Sequence, residues 1–376
     1  MTVVTPLTIA DGGLQMLQSG DIVDWGDFPA WETNSLQWTQ TRNAHSIRAD
    51  AGRAQWTRRA DELGTLSTNT DKWNGFVVAP NGYLYGIPHT ETNILKVDPS
   101  DHSTSTFGTL AGSVKWSGGV LGSNGIIYGI PLDSTTILRL DPSDDSTTTF
   151  GSLSGSTKWL GGVMAATGNI YGMPWTSTSI LKIDTSTDTP STFGNFIGTA
   201  KWQGGVLAPN GFIYGVPGTS ETVLKIDPSD DSTSTFGSLT TSTAKWWGGV
   251  LAPNDCIYCM PYNSTAVLKI DTRDDTTELL GNIGLTEKWC GGVLGADGLI
   301  YGIPFDASPV LVIDPKTDDI STFGNFGDGD KWIGGAAASN GCIYGCPHDS
   351  DHLLKIGQPL EDVQLDSCLS RFFNKL

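Results

Sequence analysis

Charge is scarce in this chain of 376 residues: only 16% of its side chains are Asp, Glu, Lys or Arg. Basic residues are scarcer still, with Lys and Arg totalling 22 against 40 Asp and Glu, a formal net charge of -18. A molecule so acidic is repelled by phosphate backbones and by anionic lipid, so nucleic acid and membrane surfaces are not expected as its main partners. No run of 18 apolar residues occurs, and Met1 to Ala10 carry neither a basic start nor a long apolar stretch. The expectation is therefore no membrane span and no signal peptide. Cysteine is limited to six residues, Cys256, Cys259, Cys290, Cys342, Cys346 and Cys368, none at a recurring position, which argues for reduced thiols and against a disulfide framework.

What is abundant is glycine, at 47 residues, with 13 Trp, a balance that suits many short strands joined by tight turns. The tryptophans are not scattered. Lys-Trp-x-Gly recurs at Trp73, Trp116, Trp159, Trp202, Trp246, Trp289 and Trp332, always 43 or 44 residues apart. A period of this size is that of a four-stranded blade, and seven such units predict an all-β, seven-bladed β-propeller.

Within one unit, Gly205 to Ala208 read as a first strand, Asn210-Gly211 as a hairpin turn and Phe212 to Val216 as a second strand. Thr222 to Ile226 supply a third, Asp227-Pro228 initiates a turn, and Thr233 to Leu239 supply a fourth. The Gly-Gly after each Trp is expected where inner strands converge and a side chain would collide with its neighbour. Each Trp is placed between adjacent blades, and Tyr85, Tyr128, Tyr171 and Tyr214 are given a structural role. The seventh unit leaves the pattern at Gly357 and lacks a fourth strand, whereas Asp61 to Leu66 form an unmatched fourth-strand sequence before the first unit. Residues 60–67 are therefore expected to complete the last blade and clasp the ring shut.

This gives three segments: an arm at 1–59 for attachment or oligomerisation, a propeller at 60–357, and a tail at 358–376. In the arm, a helix is expected from Ser35 to Ala60, and Arg42, Arg48, Arg53, Arg58 and Arg59 form a basic cluster suited to an acidic partner. The tail, with Val363, Leu365, Leu369, Phe372 and Phe373, reads as a short amphipathic helix. The opening stretch, Ile9-Ala10-Asp11-Gly12-Gly13 followed by Gln18-Ser19-Gly20-Asp21, reads as short strands broken by turns. It resembles the start of bacteriophage fibre and other virion structural proteins. That resemblance, which covers about twenty residues, implies a virion location (assembled in the host cytoplasm), a homo-oligomer, and attachment to other virion proteins through the arm.

Chemistry is harder to find. Cys256 and Cys259 have CxxC spacing but lie three apart on a strand, on opposite faces, so no shared metal is expected. His89 and His348 occupy equivalent places in units one and seven, with a metal or acid-base role and plain surface histidines both open. Asp-rich turns such as Asp141-Pro142-Ser143-Asp144-Asp145 are read as capped turns lacking the ligand count of a calcium loop. Lys72, Lys115, Lys158, Lys201, Lys245, Lys288 and Lys331 are a candidate cationic rim for an anion or acidic partner. Trp175, Trp247 and Tyr262 stand at variable positions and are candidate ligand-binding aromatics. With nearly identical residues repeated around a ring and no nucleophile-base pair, no catalytic residue, cofactor or metal is assigned. The expected function is a non-enzymatic virion structural protein, a tail, fibre or head appendage, whose propeller contacts a host-surface glycan or protein or another virion subunit. A cellular lectin or interaction scaffold, and a propeller lyase or hydrolase, are the alternatives.

Overall fold

A computed structural model describes residues 7–10, 13–16, 59–240, 242, 244–284 and 288–357. The expected helix at 35–60, the tail helix, and Arg42, Arg48, Arg53 and Arg58 lie outside the described residues, apart from Arg59, which pairs with Asp61 of its own chain segment at 2.8 Å, and Ala60, which begins a strand. In the N-terminal unit, Leu7–Ala10 pairs antiparallel with Gly13–Met16, as the turn-rich opening sequence predicts.

The remainder forms seven four-stranded antiparallel sheets, six in simple meander order and the last completed by a strand from the N-terminal side. In the fourth blade the strands are Trp202–Leu207, Ile213–Pro217, Val223–Asp227 and Ser232–Phe236. The innermost strand thus starts at the Trp itself, three residues earlier than the glycine pattern implies. A register shift between Trp202 and Gly205 explains the difference, and the same irregularity recurs in every blade. The ring closes as expected: Ala60–Leu63 pairs antiparallel with Leu353–Ile356 and is the outermost strand of the last blade.

Burial explains why no blade stands alone. The second strands are buried along their length, as in Ile213–Pro217, save for the half-buried Asn169 that begins one of them. Trp116 packs with Val77, Tyr85 and Ile87 of the first blade and with Ile127 and Leu138 of its own, and its indole N–H donates to Thr136 O at 2.8 Å. Each buried Trp removes about 150–250 Å² from water, a gross gain of roughly 4–6 kcal/mol. At the axis the first glycine of each pair meets its counterpart next door. A Cβ on Gly291, for example, would lie 3.0 Å from Gly334 Cα, and a positive φ of 80° excludes most side chains independently.

The cysteines obey strand parity. Cys256 faces one inter-blade core and Cys259 the next, whereas Cys342 and Cys346 share one. All five described cysteines are buried and outside any disulfide.

Candidate functional site

The end of the propeller that carries the Lys-Trp steps is tied together by backbone. In every blade the residue after the second-strand Pro donates its N–H to the carbonyl of that blade's Lys, as His89 does to Lys72 at 2.9 Å. Its own carbonyl accepts from the Lys N–H of the following blade, as His89 O does from Lys115 at 2.9 Å. The chain of bonds runs unbroken through all seven blades, returning from His348 O to Lys72 N at 3.1 Å. The residues on this backbone circle are His89, Leu132, Trp175, Gly218, Tyr262, Phe305 and His348, so the circle is a rigid rim holding six kinds of residue at seven positions.

The lysines do not form a cationic rim. All seven are buried, none above 8% exposed. Lys158 Nζ donates to Leu132 O, Ser134 O and Gly155 O at 2.8–3.0 Å, and Lys115 and Lys201 make the same triple contact. Burial lowers the lysine pKa values, to about 8 for Lys201, Lys245 and Lys288, while the surrounding carbonyl oxygens work in the other direction by holding the ammonium. The expectation of an anion-binding rim is corrected: the flat spacing of these lysines marks a carbonyl-binding cage between blades, not a surface.

The aromatic candidates come together. Trp175 and Trp247 have ring centroids 6.4 Å apart, Trp247 and Tyr262 5.2 Å, and Tyr262 and Phe305 6.0 Å. Phe305 then meets His348 at 5.5 Å, and His348 meets His89 at 6.1 Å. The arc therefore runs over five blades of the rim. Trp175, Trp247 and Tyr262 are half-buried, which leaves part of each ring open to solvent. Cys290 and Ile333 pack with Phe305 beside Trp247 and Tyr262.

Gly218 makes the approach of Trp175 possible. A Cβ there would lie 2.4 Å from Ala200 O, 3.1 Å from the Trp175 ring and 3.3 Å from the Gln203 amide carbon. Gln203 is fully buried, and neither its Oε1 nor its Nε2 has a hydrogen-bond partner. Leaving a buried amide unmatched costs about 1–3 kcal/mol, so Gln203 calls for a polar partner, an ordered water or a ligand group.

Residues the sequence reading did not single out are Gln203, Phe305 and Asp71. The available signal was variation within a near-identical repeat: the positions before Lys, after Trp and after Pro differ between most units, and Asp71, Gln203 and Phe305 stand at them.

At the seam between the last and first blades, His89 and His348 are buried at 9% and 7% exposure, which corrects the surface reading of this pair. Asp71 joins them, with its Oδ1 3.2 Å from His348 Nε2. Burial, and then the neighbouring His348, hold the His89 pKa below its ordinary value.

The opposite end is fastened differently. Asp141 Oδ1 accepts from Ser143 N and Ser143 Oγ, so the Asp-Pro-Ser turns are indeed capped. In five blades the final Asp of the turn also reaches the preceding blade: Asp145 accepts from Tyr85 Oη at 2.8 Å and from Lys96 Nζ at 2.6 Å. A cleft of about 330 Å³ beside this pair is lined by Tyr83, Lys96, Asp98, Ser103, Ser105, Phe107 and Asp145. Its main charges, Lys96 and Asp145, already neutralise each other, so the axial arc is the stronger candidate.

Known proteins resemble this chain in fold. A family described as a repeat of unknown function, DUF6923, matches residues 67–211. No curated protein matches. A streptogramin B lyase structure superposes with a TM-score of 0.69 at 13% identity, covering 80% of this chain and 97% of that one. Virginiamycin B lyase from Staphylococcus aureus gives 0.70 at 12% identity, with 80% and 99% covered. The extracellular domain of a putative one-component system from B. thetaiotaomicron gives 0.62 at 9% identity, with 80% and 42% covered.

The chain is a seven-bladed β-propeller.

At such identities the shared property is the fold, and what these proteins act on or sense belongs to them.

Proposed function

We propose that this propeller is a non-enzymatic recognition module that binds a glycan across the aromatic arc of its Lys-Trp end. The observation that carries the reading is the arc from Trp175 through Trp247 and Tyr262 to Phe305, with the unpartnered amide of Gln203 buried beside Gly218, next to Trp175. Flat, amphipathic rings offer apolar area to the C–H faces of a sugar, and the Gln203 amide, buried in the free protein, would select one hydroxyl by turning toward it. The polar groups are few and the rigid rim fixes them, which is the arrangement of a binding site rather than of a nucleophile and its base. The test is binding of the full-length protein to an array of bacterial and animal cell-surface glycans, repeated with Trp247→Ala and Gln203→Leu. Retention of a selected glycan by both variants contradicts the reading.

The N-terminal segment's resemblance to phage fibre proteins supports a finer assignment: a virion appendage, attached and oligomerised through residues 1–59, with the propeller presenting the arc to a host surface. Sedimentation of the full-length protein beside residues 60–376, which keep the closing strand, checks it. A defined oligomer of the full-length chain alone supports the assignment, and two monomers leave a lectin-like propeller.

A lyase or hydrolase is the second reading, favoured by the buried His89–His348 pair with Asp71 and by the lyase-like fold. Turnover of a streptogramin B antibiotic by the full-length protein, abolished in His348→Ala, would establish it.

A further inference from the structure

We infer that Asp71, His89 and His348 form a binding site for one divalent transition-metal ion, of the Zn²⁺ type, across the seam where the ring closes. The proposal is independent of what the aromatic arc binds.

The geometry comes from three segments of chain. His89 and His348 follow the second-strand Pro in the first and last blades, which the ring closure makes neighbours. Asp71 sits just before Lys72 with a φ of +54°, a left-handed conformation shared by Val114, Thr157, Ala200 and Ala244 at the same place in other blades. One ligand atom from each of Asp71, His89 and His348 lies within 4.8 Å of the other two. Tetrahedral Zn²⁺ with bonds of about 2.0–2.2 Å requires ligand separations of about 3.3–3.6 Å. The Asp71–His348 distance, 3.2 Å, is already at that value, and the Asp71 side chain, 52% exposed, is the one free to adjust.

An outer group orients His89 as a metal ligand requires, and one stands within reach of His348. His89 Nδ1 faces Asp71 O at 3.3 Å; a carbonyl only accepts, so the proton is on Nδ1 and the Nε2 lone pair is left for an ion. His348 Nδ1 lies 3.0 Å from Asp349 Oδ1, at ion-pair distance but out of line for a hydrogen bond, and it has no other partner. Asp349 Oδ1 is fixed in turn by Asp71 N at 2.7 Å. A small rotation of His348 on binding would align Nδ1–H with Asp349 and direct Nε2 to the metal. Two neutral imidazoles and one carboxylate are a donor set of borderline softness, matched to Zn²⁺, Co²⁺ or Ni²⁺ better than to Mg²⁺ or Ca²⁺. Three protein ligands leave a fourth position open, on the exposed side of Asp71.

The test uses the full-length protein, stripped with a chelator and titrated with Co²⁺ and Zn²⁺. One equivalent of Co²⁺ should bind with visible ligand-field absorption, and one equivalent of Zn²⁺ should displace it. His89→Ala and His348→Gln should abolish the absorption, and His352→Ala should leave it intact. Asp349→Asn, which touches only the outer group, should weaken binding about 10–100-fold. Circular dichroism of each metal-free variant reports its folding separately. Failure of the stripped wild-type protein to bind either ion stoichiometrically overturns the proposal, as does an unchanged Co²⁺ spectrum in the folded His89→Ala and His348→Gln proteins.

Discussion

Tyr301 donates its hydroxyl to Asp297, four residues back on its own blade, at 2.8 Å. Its counterparts Tyr85, Tyr128, Tyr171, Tyr214 and Tyr258 reach instead to an Asp of the following blade, at 2.5–2.8 Å. The exception has a cause in the chain path. Beyond Tyr301 lies the last blade, whose outer strand is supplied by Ala60–Leu63, so no covalent turn joins its third and fourth strands and no turn Asp is presented. The sequence compensates at two places: Asp297 replaces the Asn of most other blades, and Val312 replaces the cation that elsewhere pairs with the turn Asp.

The cross-blade tyrosines should therefore contribute to stability as pairs. Tyr128→Phe removes a donor from Asp188 and should lower unfolding free energy by about 1.5–3 kcal/mol, the range for hydrogen bonds to charged groups. In a double-mutant cycle with Asp188→Asn, read by urea denaturation, the two losses should not add. In Tyr301→Phe, by contrast, the loss should couple to Asp297→Asn and not to any turn residue.

Blade seven meets blade one through a histidine. His102 takes the place of the turn Asp, with Tyr344 Oη 2.7 Å from Nδ1 and Lys355 Nζ 3.3 Å from Nε2. Lys355 can only donate, so Nε2 accepts and the proton sits on Nδ1. Burial and then Lys355 hold the His102 pKa below its ordinary value, and His89 is lowered likewise by burial and His348. With folded values below unfolded ones, the unfolded chain takes up protons first. This contribution to stability is present above about pH 6.5 and is lost as pH falls below it. His102→Asp, which installs the residue of the other blades, should raise stability at pH 5.5 and flatten the decline between pH 7 and 5.5.

The lysine cage gives a prediction in the opposite sense to a binding rim. Lys158→Met should destabilise by more than about 3 kcal/mol, because three carbonyl oxygens lose their donor, and should leave ligand binding by the folded remainder unchanged. A selective loss of anion binding with stability intact would restore the rim.

The glycines separate two effects. Gly291→Ala meets both a φ of 80° and the backbone of Gly334 at 3.0 Å, whereas Gly211→Ala meets only a φ of 87° with open space around it. Gly211→Ala should cost about 1–2 kcal/mol; Gly291→Ala should cost clearly more, by thermal or urea unfolding.

Fold and closure were legible because they repeat. Trp every 43 or 44 residues, Asn-Gly turns and an orphan fourth strand at Asp61 to Leu66 determine blade number, strand order and clasp. The tyrosine–aspartate fastening was not, since its partners lie 60 or 61 residues apart, beyond one period, and neither residue is unusual for a strand or a turn. The binding end was half legible: Trp175, Trp247 and Tyr262 stood out as aromatic, but Gln203 and Asp71 acquire meaning only through burial and proximity. The lysines misled because a conserved spacing within the repeat reports a shared environment, and that environment turned out to be interior.

The measurement that bears most directly on the account is binding of the full-length protein to a glycan array, with Trp247→Ala and Gln203→Leu alongside. The account predicts retention of one glycan class by the wild type and its loss in both variants, each still folded. A wild-type protein that retains none, or variants that retain the same class undiminished, would contradict it.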